Sequence, residues 1–278
     1  MRSRACAAVL ALAAALAGRP AAAGVVFEDD FERSTTTADG YVSEWDGPPN
    51  PAVMYLTQGT AHSGGQAVEL RYLPGSSGAS FMYRHFAGQD RVYHRWYQKW
   101  SPGFVWEPSS TKMTILRPRG GYPQFYPEVL WANGQLAIQA QVIAEAGWDA
   151  RNFYQNQGTP IAFLPGRWYC IEVYVKLNTP GAADGELAAW IDGELKLSYT
   201  GREFRGDEPT DPAPSTAQIQ AVAVSGHYGG LTPVPELQFS WQDDHAVSTE
   251  RIGCRPVSDD FERSETTEWG TIRGWDGP

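Results

Sequence analysis

The segment from Gly166 to Leu195 most constrains the fold, because it contains two strands and the turns that follow them. From Trp168 to Leu177, every second residue (Tyr169, Ile171, Val173, Val175 and Leu177) belongs to one set of largely apolar side chains. This alternation has the two-residue period of a strand and not the 3.6-residue period of a helix. Asp184-Gly185 and Asp192-Gly193 are dipeptides typical of tight hairpin turns. Antiparallel strands joined by successive turns of this kind predict a β-sandwich.

The rest of the chain is also typical of an all-β protein. Its 29 glycines and 20 prolines punctuate short runs rich in its 11 tryptophans and 13 tyrosines, and no long amphipathic helical pattern follows the first 23 residues. The roughly 250 residues that follow the first 23 can bury the core of one large sandwich. The sequence predicts strands at residues 67–73, 79–86, 91–100, 111–117, 128–132, 135–143, 168–177, 186–191, 219–224 and 237–247.

Residues 1–23 have the features of a secretory signal peptide. Arg2 and Arg4 precede a short alanine- and leucine-rich core, and Ala21-Ala22-Ala23 offers a small-residue cleavage site. The apolar core is too short to span a bilayer, so we expect a secreted or periplasmic protein without a membrane span. Removal of the peptide, which also carries Arg19, changes the formal net charge from −10 to −13. Such an acidic chain is a poor partner for nucleic acid.

Two cysteines remain after removal of the signal peptide, which carries Cys6. They are Cys170, on a predicted strand, and Cys254, near the end of the predicted domain. In an oxidising compartment two such cysteines favour one disulfide, and two unpaired buried thiols are the alternative.

A twenty-residue repeat suggests the limits of the domain. Residues 29–48 read DDFERSTTTADGYVSEWDGP and residues 259–278 read DDFERSETTEWGTIRGWDGP. Self-similarity of this kind is typical of tandem modules. We therefore expect one β-sandwich domain at residues 24–256, with residues 257–278 beginning a second module. The alternative is a C-terminal extension in which both copies are structural and sit at one end of the sandwich.

Three motifs resemble secreted β-jelly-roll proteins related to alginate and glucuronan lyases. The segment GRWYCIEVYVKLNTPGAADGELAAWIDG resembles a spaced pattern of that family, YHRWYQKWSP at residues 93–102 is similar to a family strand, and WQDDHAVS at residues 241–248 is similar to a closing strand. The resemblance covers roughly residues 79–253. It implies an all-β, concanavalin A-like β-sandwich (jelly roll) of two antiparallel sheets. It also implies action on an anionic polysaccharide, and we expect a monomer.

One strand of this resemblance carries a polar face suited to a sugar chain. Tyr93, Arg95, Tyr97 and Lys99 alternate with bulky residues on residues 91–100, so they share one face. Aromatic rings cover the apolar face of a pyranose, and cations pair with uronate carboxylates. We expect Arg95, Tyr97 and Lys99 to contribute to a substrate-binding groove. A solvated outer face is the alternative.

The resemblance also implies catalytic residues for β-elimination. That reaction needs a group that neutralises the substrate carboxylate, a base and an acid. Lys112 stands where alginate-lyase-like relatives carry a lysine, and Tyr126 and Tyr228 are the phenols that we expect beside it. The remaining expected substrate-binding residues are Glu128, Gln139, Gln141 and His227.

Two of these positions differ from the family pattern. Glu128 lies where the relatives carry an arginine, and Gln139-Ala140-Gln141 lies where they carry Tyr-x-Tyr. A carboxylate at that position repels an anionic sugar. Two alternatives to a lyase therefore stay open, a binding module with a degenerate lyase cleft and a structural or adhesive repeat module.

Acidic residues raise two further possibilities, a calcium site near the first and last strands and the active site of a glycoside hydrolase. Asp29, Asp30, Asp243 and Asp244 offer hard oxygen ligands, so a structural calcium ion, with Asp30 and Asp244 as ligands, is the one cofactor that the sequence allows. Solvated acidic ends are the favoured interpretation. Glu128 and Glu172 suggest the paired carboxylates of a glycoside hydrolase, but this class ranks third, because the E-x-D-x-x-E strand of sandwich glucanases is absent.

Overall fold

The computed structural model describes residues 24–46, 52–130, 134–144, 147–229 and 232–255. Within these ranges the secondary structure is entirely β, and no helix is long and apolar enough to cross a membrane. The strands are β1 (Val25–Asp29), β2 (Met54–Thr57), β3 (Ala67–Tyr72), β4 (Gly78–Gln89), β5 (Arg91–Trp100), β6 (Ser110–Lys112), β7 (Thr114–Arg117), β8 (Gln124–Leu130), β9 (Gln135–Ala144), β10 (Gly147–Tyr154), β11 (Trp168–Lys176), β12 (Gly185–Ile191), β13 (Glu194–Arg202), β14 (Ile219–Gly229) and β15 (Gln238–Ser248).

The strands form two antiparallel sheets. Sheet I has the order β13-β12-β11-β5-β15-β3-β2, with β1 also paired to β15. Sheet II has the order β10-β9-β8-β6-β14-β4, and β7 continues β6 between β8 and β14. The expectation of a two-sheet jelly roll is therefore confirmed.

The core lies between the inner faces of the sheets. On β11 the alternation read from the sequence is confirmed, because Tyr169, Ile171, Val173 and Val175 all belong to the buried apolar cluster. Trp96 and Trp100 of β5 join the same cluster from sheet I, and sheet II contributes residues such as Phe125. Full burial of one such side chain stabilises the fold by about 1.5–3 kcal/mol.

Both hairpins are present, but only one of the two Asp-Gly dipeptides forms the turn. After β11 the chain reverses at Thr179–Ala182, where the backbone N–H of Ala182 donates to the carbonyl of Thr179 (2.9 Å), and Gly185 is already the first residue of β12. Strand β11 pairs with β12, and β12 pairs with β13 through the turn at Asp192-Gly193. Both residues of this turn have positive φ angles, 52° and 84°. Aspartate and glycine accept this conformation more readily than most residues.

The expected strand list was incomplete in four places. Strands β1, β2, β10 and β13 were not predicted, and the strand expected at residues 111–117 is divided at Met113. Met113 belongs to the core and its backbone N–H donates to the carbonyl of Pro127. This interruption changes which side chains of the segment share a face.

The first copy of the repeat closes one end of the sandwich. Asp29 accepts hydrogen bonds from the backbone of Phe31 (2.8 Å) and from the indole N–H of Trp45 (2.7 Å). Phe31 and Trp45 pack against His245 of β15, and Glu32 accepts from the backbone of the 65–66 loop. The second copy lies outside the described residues, as does the signal peptide, so both domain limits remain predictions.

The predicted disulfide between Cys170 and Cys254 is present. It ties β11 to the segment that follows β15. The phenol of Tyr97 donates to the carbonyl of Arg255 (2.8 Å), which holds the same segment against the outer face of sheet I.

Candidate functional site

The outer face of sheet II carries most of the residues predicted for catalysis. We call the side chains of Ser110, Lys112, Tyr126, Glu128, Gln139, Gln141 and His227 the Lys112 face. Lys112 lies opposite Glu128 across β6 and β8, and Tyr126 lies opposite Gln139 across β8 and β9. Because side chains alternate along a strand, the neighbours of these residues face the core instead.

Lys112 and Tyr126 form the centre of the Lys112 face. The ammonium Nζ of Lys112 lies 3.9 Å from the centre of the Tyr126 ring. Burial lowers the pKa of Lys112, opposed by the negative charge of Glu128. Burial raises the pKa of Tyr126 to about 12, and its hydroxyl donates to the side-chain oxygen of Gln124. The pair therefore combines an amine that gives up its proton more readily and a phenol that keeps its proton.

Glu128 is buried beside this pair. Ser110 Oγ donates to its Oε2, whereas its Oε1 has no hydrogen-bond partner among the described residues. Burial raises the pKa of Glu128 to about 7, against the opposing effects of Ser110 and Lys112. Near neutral pH this group is therefore divided between a neutral acid and a carboxylate.

Two glutamines extend the Lys112 face onto β9. The side-chain amide of Gln141 donates to the side-chain oxygen of Gln139 (2.7 Å), and that of Gln139 donates to Asn152 of β10 (3.4 Å). Both glutamines are partly exposed, so a row of amides borders Lys112 and Tyr126. Amides of this kind can hydrogen-bond sugar hydroxyls or a carboxylate.

His227 lies on the Lys112 face, but Tyr228 does not. Burial lowers the pKa of His227, and so does the positive charge of Lys112. Tyr228 belongs to the core, where its hydroxyl donates to the carbonyl of Val105 (3.1 Å). The expectation that both residues border one groove is wrong, because they are neighbours on strand β14 and point to opposite faces.

Arg95, Tyr97 and Lys99 are separated from Lys112 by the thickness of the sandwich. They lie on the outer face of sheet I, and Arg95 and Tyr97 are buried there. Tyr97 is bonded to the backbone of Arg255, and Lys99 is partly exposed. Arg95, Tyr97 and Lys99 therefore do not share a groove with Lys112, because the two groups lie on the outer faces of different sheets.

Arg117 is a residue of this site that the sequence did not predict. Its guanidinium lies 5.9 Å from the centre of the Tyr83 ring, and Tyr83 packs in the outer cluster that contains Tyr126. The positive charge of Arg117 lowers the pKa of Tyr126 against the effect of burial. Simple alternation places residues 112 and 117 on opposite faces, but the interruption at Met113 brings them to the same face.

The acidic candidates for calcium lie beside arginines. Asp30 and Asp244 line one pocket of about 240 Å³, together with Arg33, Arg95 and Arg255. Asp244 is engaged by His62 (2.8 Å) and Ser63 (3.1 Å), and Asp30 accepts from the backbone of Glu32. In the described ranges no group of three or more His, Cys, Asp or Glu side chains could hold a metal ion. The guanidinium groups of this pocket oppose a divalent cation, whereas Glu28 and Asp29 add two further carboxylates to its lining.

Comparison with solved structures gives the fold of the chain. The PL-14 alginate lyase of Aplysia kurodai superposes with a TM-score of 0.60 at 14% identity, over 82% of this chain and 100% of that chain. The endo-β-1,4-glucuronan lyase of the fungus Trichoderma reesei gives 0.55 at 14% identity, over 81% and 96%. The cellulose induced protein Cip1 gives 0.54 at 17% identity, over 82% and 100%.

Sequence comparison adds no closer relationship. No model of a known protein family matches the chain, and no match is found among curated proteins. The chain therefore has the jelly-roll fold of these polysaccharide lyases and of Cip1, at low sequence identity.

Proposed function

We propose that this chain is a secreted polysaccharide lyase that cleaves a uronate-containing polysaccharide by β-elimination. The observation that carries the proposal is the contact between Lys112 Nζ and the Tyr126 ring on a polar face of a lyase-like sandwich. Secretion is supported by the signal-peptide pattern of residues 1–23 and by the disulfide, since disulfides persist in oxidising compartments.

The roles follow from the proton states of the two residues. Lys112, whose pKa is lowered by burial, takes the C5 proton of the uronate. The electron pair of that C–H bond forms the C4–C5 double bond while the C4–O glycosidic bond breaks. The phenol of Tyr126 then donates its proton to the leaving oxygen. Proton removal and proton donation therefore occur at groups that already touch.

Carboxylate neutralisation falls to the groups around this pair. Gln139 and Gln141 supply amide donors on β9, and Arg117 supplies a guanidinium on β7. Glu128 opposes this function when it is ionised and ceases to do so when it is protonated. Lowering the pH through about 7 therefore removes the repulsion from Glu128, but it also decreases the neutral fraction of Lys112, so the two groups act on the rate in opposite directions.

A binding module without turnover is the second candidate. Glu128 favours it, because a buried carboxyl group takes the position where an arginine was expected from the lyase resemblance. Ultraviolet absorbance distinguishes the two candidates, since elimination creates a conjugated unsaturated uronate and binding does not. Absorbance that rises with time in wild-type protein but not in Lys112→Ala supports the lyase. Retention of polymer by both proteins without any rise in absorbance supports the binding module.

A further inference from the structure

The outer face of sheet I carries an unusual row of side chains, far from the Lys112 face. Trp168, Lys99, Trp241, Glu69 and Tyr55 lie directly opposite one another on the neighbouring strands β11, β5, β15, β3 and β2. All five are partly exposed. We call this set the Trp168 row.

Contacts within the Trp168 row fix its rings and its cation. Lys99 Nζ lies 5.8 Å from the ring centres of both Trp168 and Trp241. The indole N–H of Trp241 donates to Glu69 Oε2 (2.9 Å), and Tyr55 donates to the other oxygen of Glu69. A solvent-facing row held in place by its own hydrogen bonds presents a preorganised surface.

The spacing of the two indoles suits a sugar chain. Trp168 and Trp241 are two strands apart, so their positions are separated by about 10 Å, twice the spacing between neighbouring strands. That separation is comparable with one disaccharide unit of an extended polysaccharide. Indole rings stack on the apolar faces of pyranoses, and the two rings can therefore hold alternate sugars of one chain.

The charge of the row favours an anionic chain. Lys99 lies between the indoles, and Arg71 lies 5.1 Å from the centre of the Tyr55 ring and 3.8 Å from Glu69. Glu69 is thereby paired, which leaves Lys99 as the cation between two aromatic platforms. The ammonium group of Lys99 between the two rings is complementary to a carboxylate on the ligand.

We propose that the Trp168 row is a second polysaccharide-binding site, which holds an extended polyuronate on the face opposite the Lys112 face. Pyranose rings stack on Trp168 and Trp241, and a uronate carboxylate pairs with Lys99. Such a site retains the polymer beside the chemistry without taking part in it. Nucleic acid offers stacking and negative charge as well, so single-stranded DNA is the competing ligand in the test.

Affinity electrophoresis tests this proposal in a Lys112→Ala background, where the polymer stays intact. The gels contain polyglucuronate, neutral hydroxyethyl cellulose or single-stranded DNA. We expect Trp168→Ala and Trp241→Ala each to weaken retardation by polyglucuronate about tenfold, equivalent to ~1.4 kcal/mol. Lys99→Gln should weaken retardation by polyglucuronate and leave that by the neutral polymer unchanged.

Trp190→Ala is the matched control. Trp190 is a partly exposed tryptophan on the outer face of the same sheet, on β12 and outside the row. Equal loss in Trp190→Ala, or unchanged retardation in the row variants, overturns the proposal. Should a tryptophan variant fail to fold, Lys99→Gln still decides, since unchanged retardation by polyglucuronate contradicts the assignment. Stronger retardation by DNA than by polyglucuronate would assign the row to nucleic acid instead.

This result is independent of the lyase proposal. The row variants, placed in the otherwise wild-type chain, should release unsaturated product from short oligouronates at the wild-type rate, because no residue of the row lies on the Lys112 face. Loss of polymer retardation with retained turnover confirms the second site. If neither wild type nor any variant shows turnover, but retardation still depends on the Trp168 row, the lyase proposal is contradicted and the second binding site is not.

Discussion

The ammonium of Lys112 lies 3.9 Å from the centre of the Tyr126 ring, on the outer face of sheet II. The two residues come from adjacent strands, and burial acts on them in opposite directions, lowering the pKa of the amine and raising that of the phenol. The amine thus releases its proton more easily and the phenol keeps its proton, which suits them to the roles of base and acid in an elimination.

Replacement of the lysine should abolish turnover with little effect on folding. We expect Lys112→Ala to lower the rate of product formation by at least about a hundredfold, as loss of a general base does. The lost cation–π contact costs about 0.5–2 kcal/mol of stability. Lys176→Ala, on the opposite sheet and outside the Trp168 row, is the control. A large fall in melting temperature, or turnover that survives in Lys112→Ala, would mark Lys112 as a structural residue.

Removal of one oxygen atom tests the proposed acid. Tyr126→Phe keeps the ring beneath Lys112 and removes the hydroxyl that donates to Gln124. We expect kcat to fall by about 10²–10⁴ while KM changes little, because the phenol acts on the leaving oxygen during bond cleavage. Steady-state kinetics on a soluble polyuronate measures both constants. A rise in KM alone would assign the hydroxyl to substrate binding.

Glu128 should make the stability of the protein depend on pH. Its folded-state pKa of about 7 lies above the value of about 4.3 in an unfolded chain, so the folded protein holds the proton more tightly. This contribution is complete below the unfolded pKa and is lost as the pH rises through about 7. Glu128→Gln should therefore be more stable than wild type by about 1–3 kcal/mol at about pH 8, with little difference at about pH 4.

Urea unfolding at the two pH values measures this difference. Glu250→Gln is the control, since Glu250 is exposed. An equal gain for Glu128→Gln at both pH values would show that the carboxyl group titrates alike in the folded and unfolded chains.

The disulfide should contribute strongly to stability. Cys170 and Cys254 are 84 residues apart in the sequence, and closing a loop of this size stabilises a protein by about 4 kcal/mol on the loop-entropy model. We expect the double variant Cys170→Ala/Cys254→Ala to lose roughly this amount in denaturant unfolding, whereas reduction should have no further effect on it. Unchanged stability of the double variant contradicts this expectation.

Much of the fold could be predicted from local patterns. The alternation on β11 and the turn at Asp192-Gly193 are determined by neighbouring residues, and the structure confirms both. The short edge strand β2 and strand β10 escaped prediction, because pairing with β3 and β9 defines them more than their own sequences do.

The site was harder to predict than the fold. Tyr228 and His227 were both expected at the substrate, although adjacent residues of a strand face opposite ways. Arg117 was missed because the interruption at Met113 shifts the alternation. Arg95 was wrongly expected in the groove. The sequence of one strand does not show to which sheet the strand belongs, or which segment covers its polar face.

The most direct test of the proposed lyase activity is the release of unsaturated uronate by the wild-type protein. Purified protein is incubated with a panel of polyuronates and a neutral polysaccharide, and ultraviolet absorbance is followed with time, with Lys112→Ala and Tyr126→Phe in parallel. We expect absorbance to rise on at least one polyuronate and not on the neutral polymer, and we expect both variants largely to abolish the rise. A flat trace for wild-type protein on every polyuronate, with the polymers still bound, would contradict the lyase and leave a binding module.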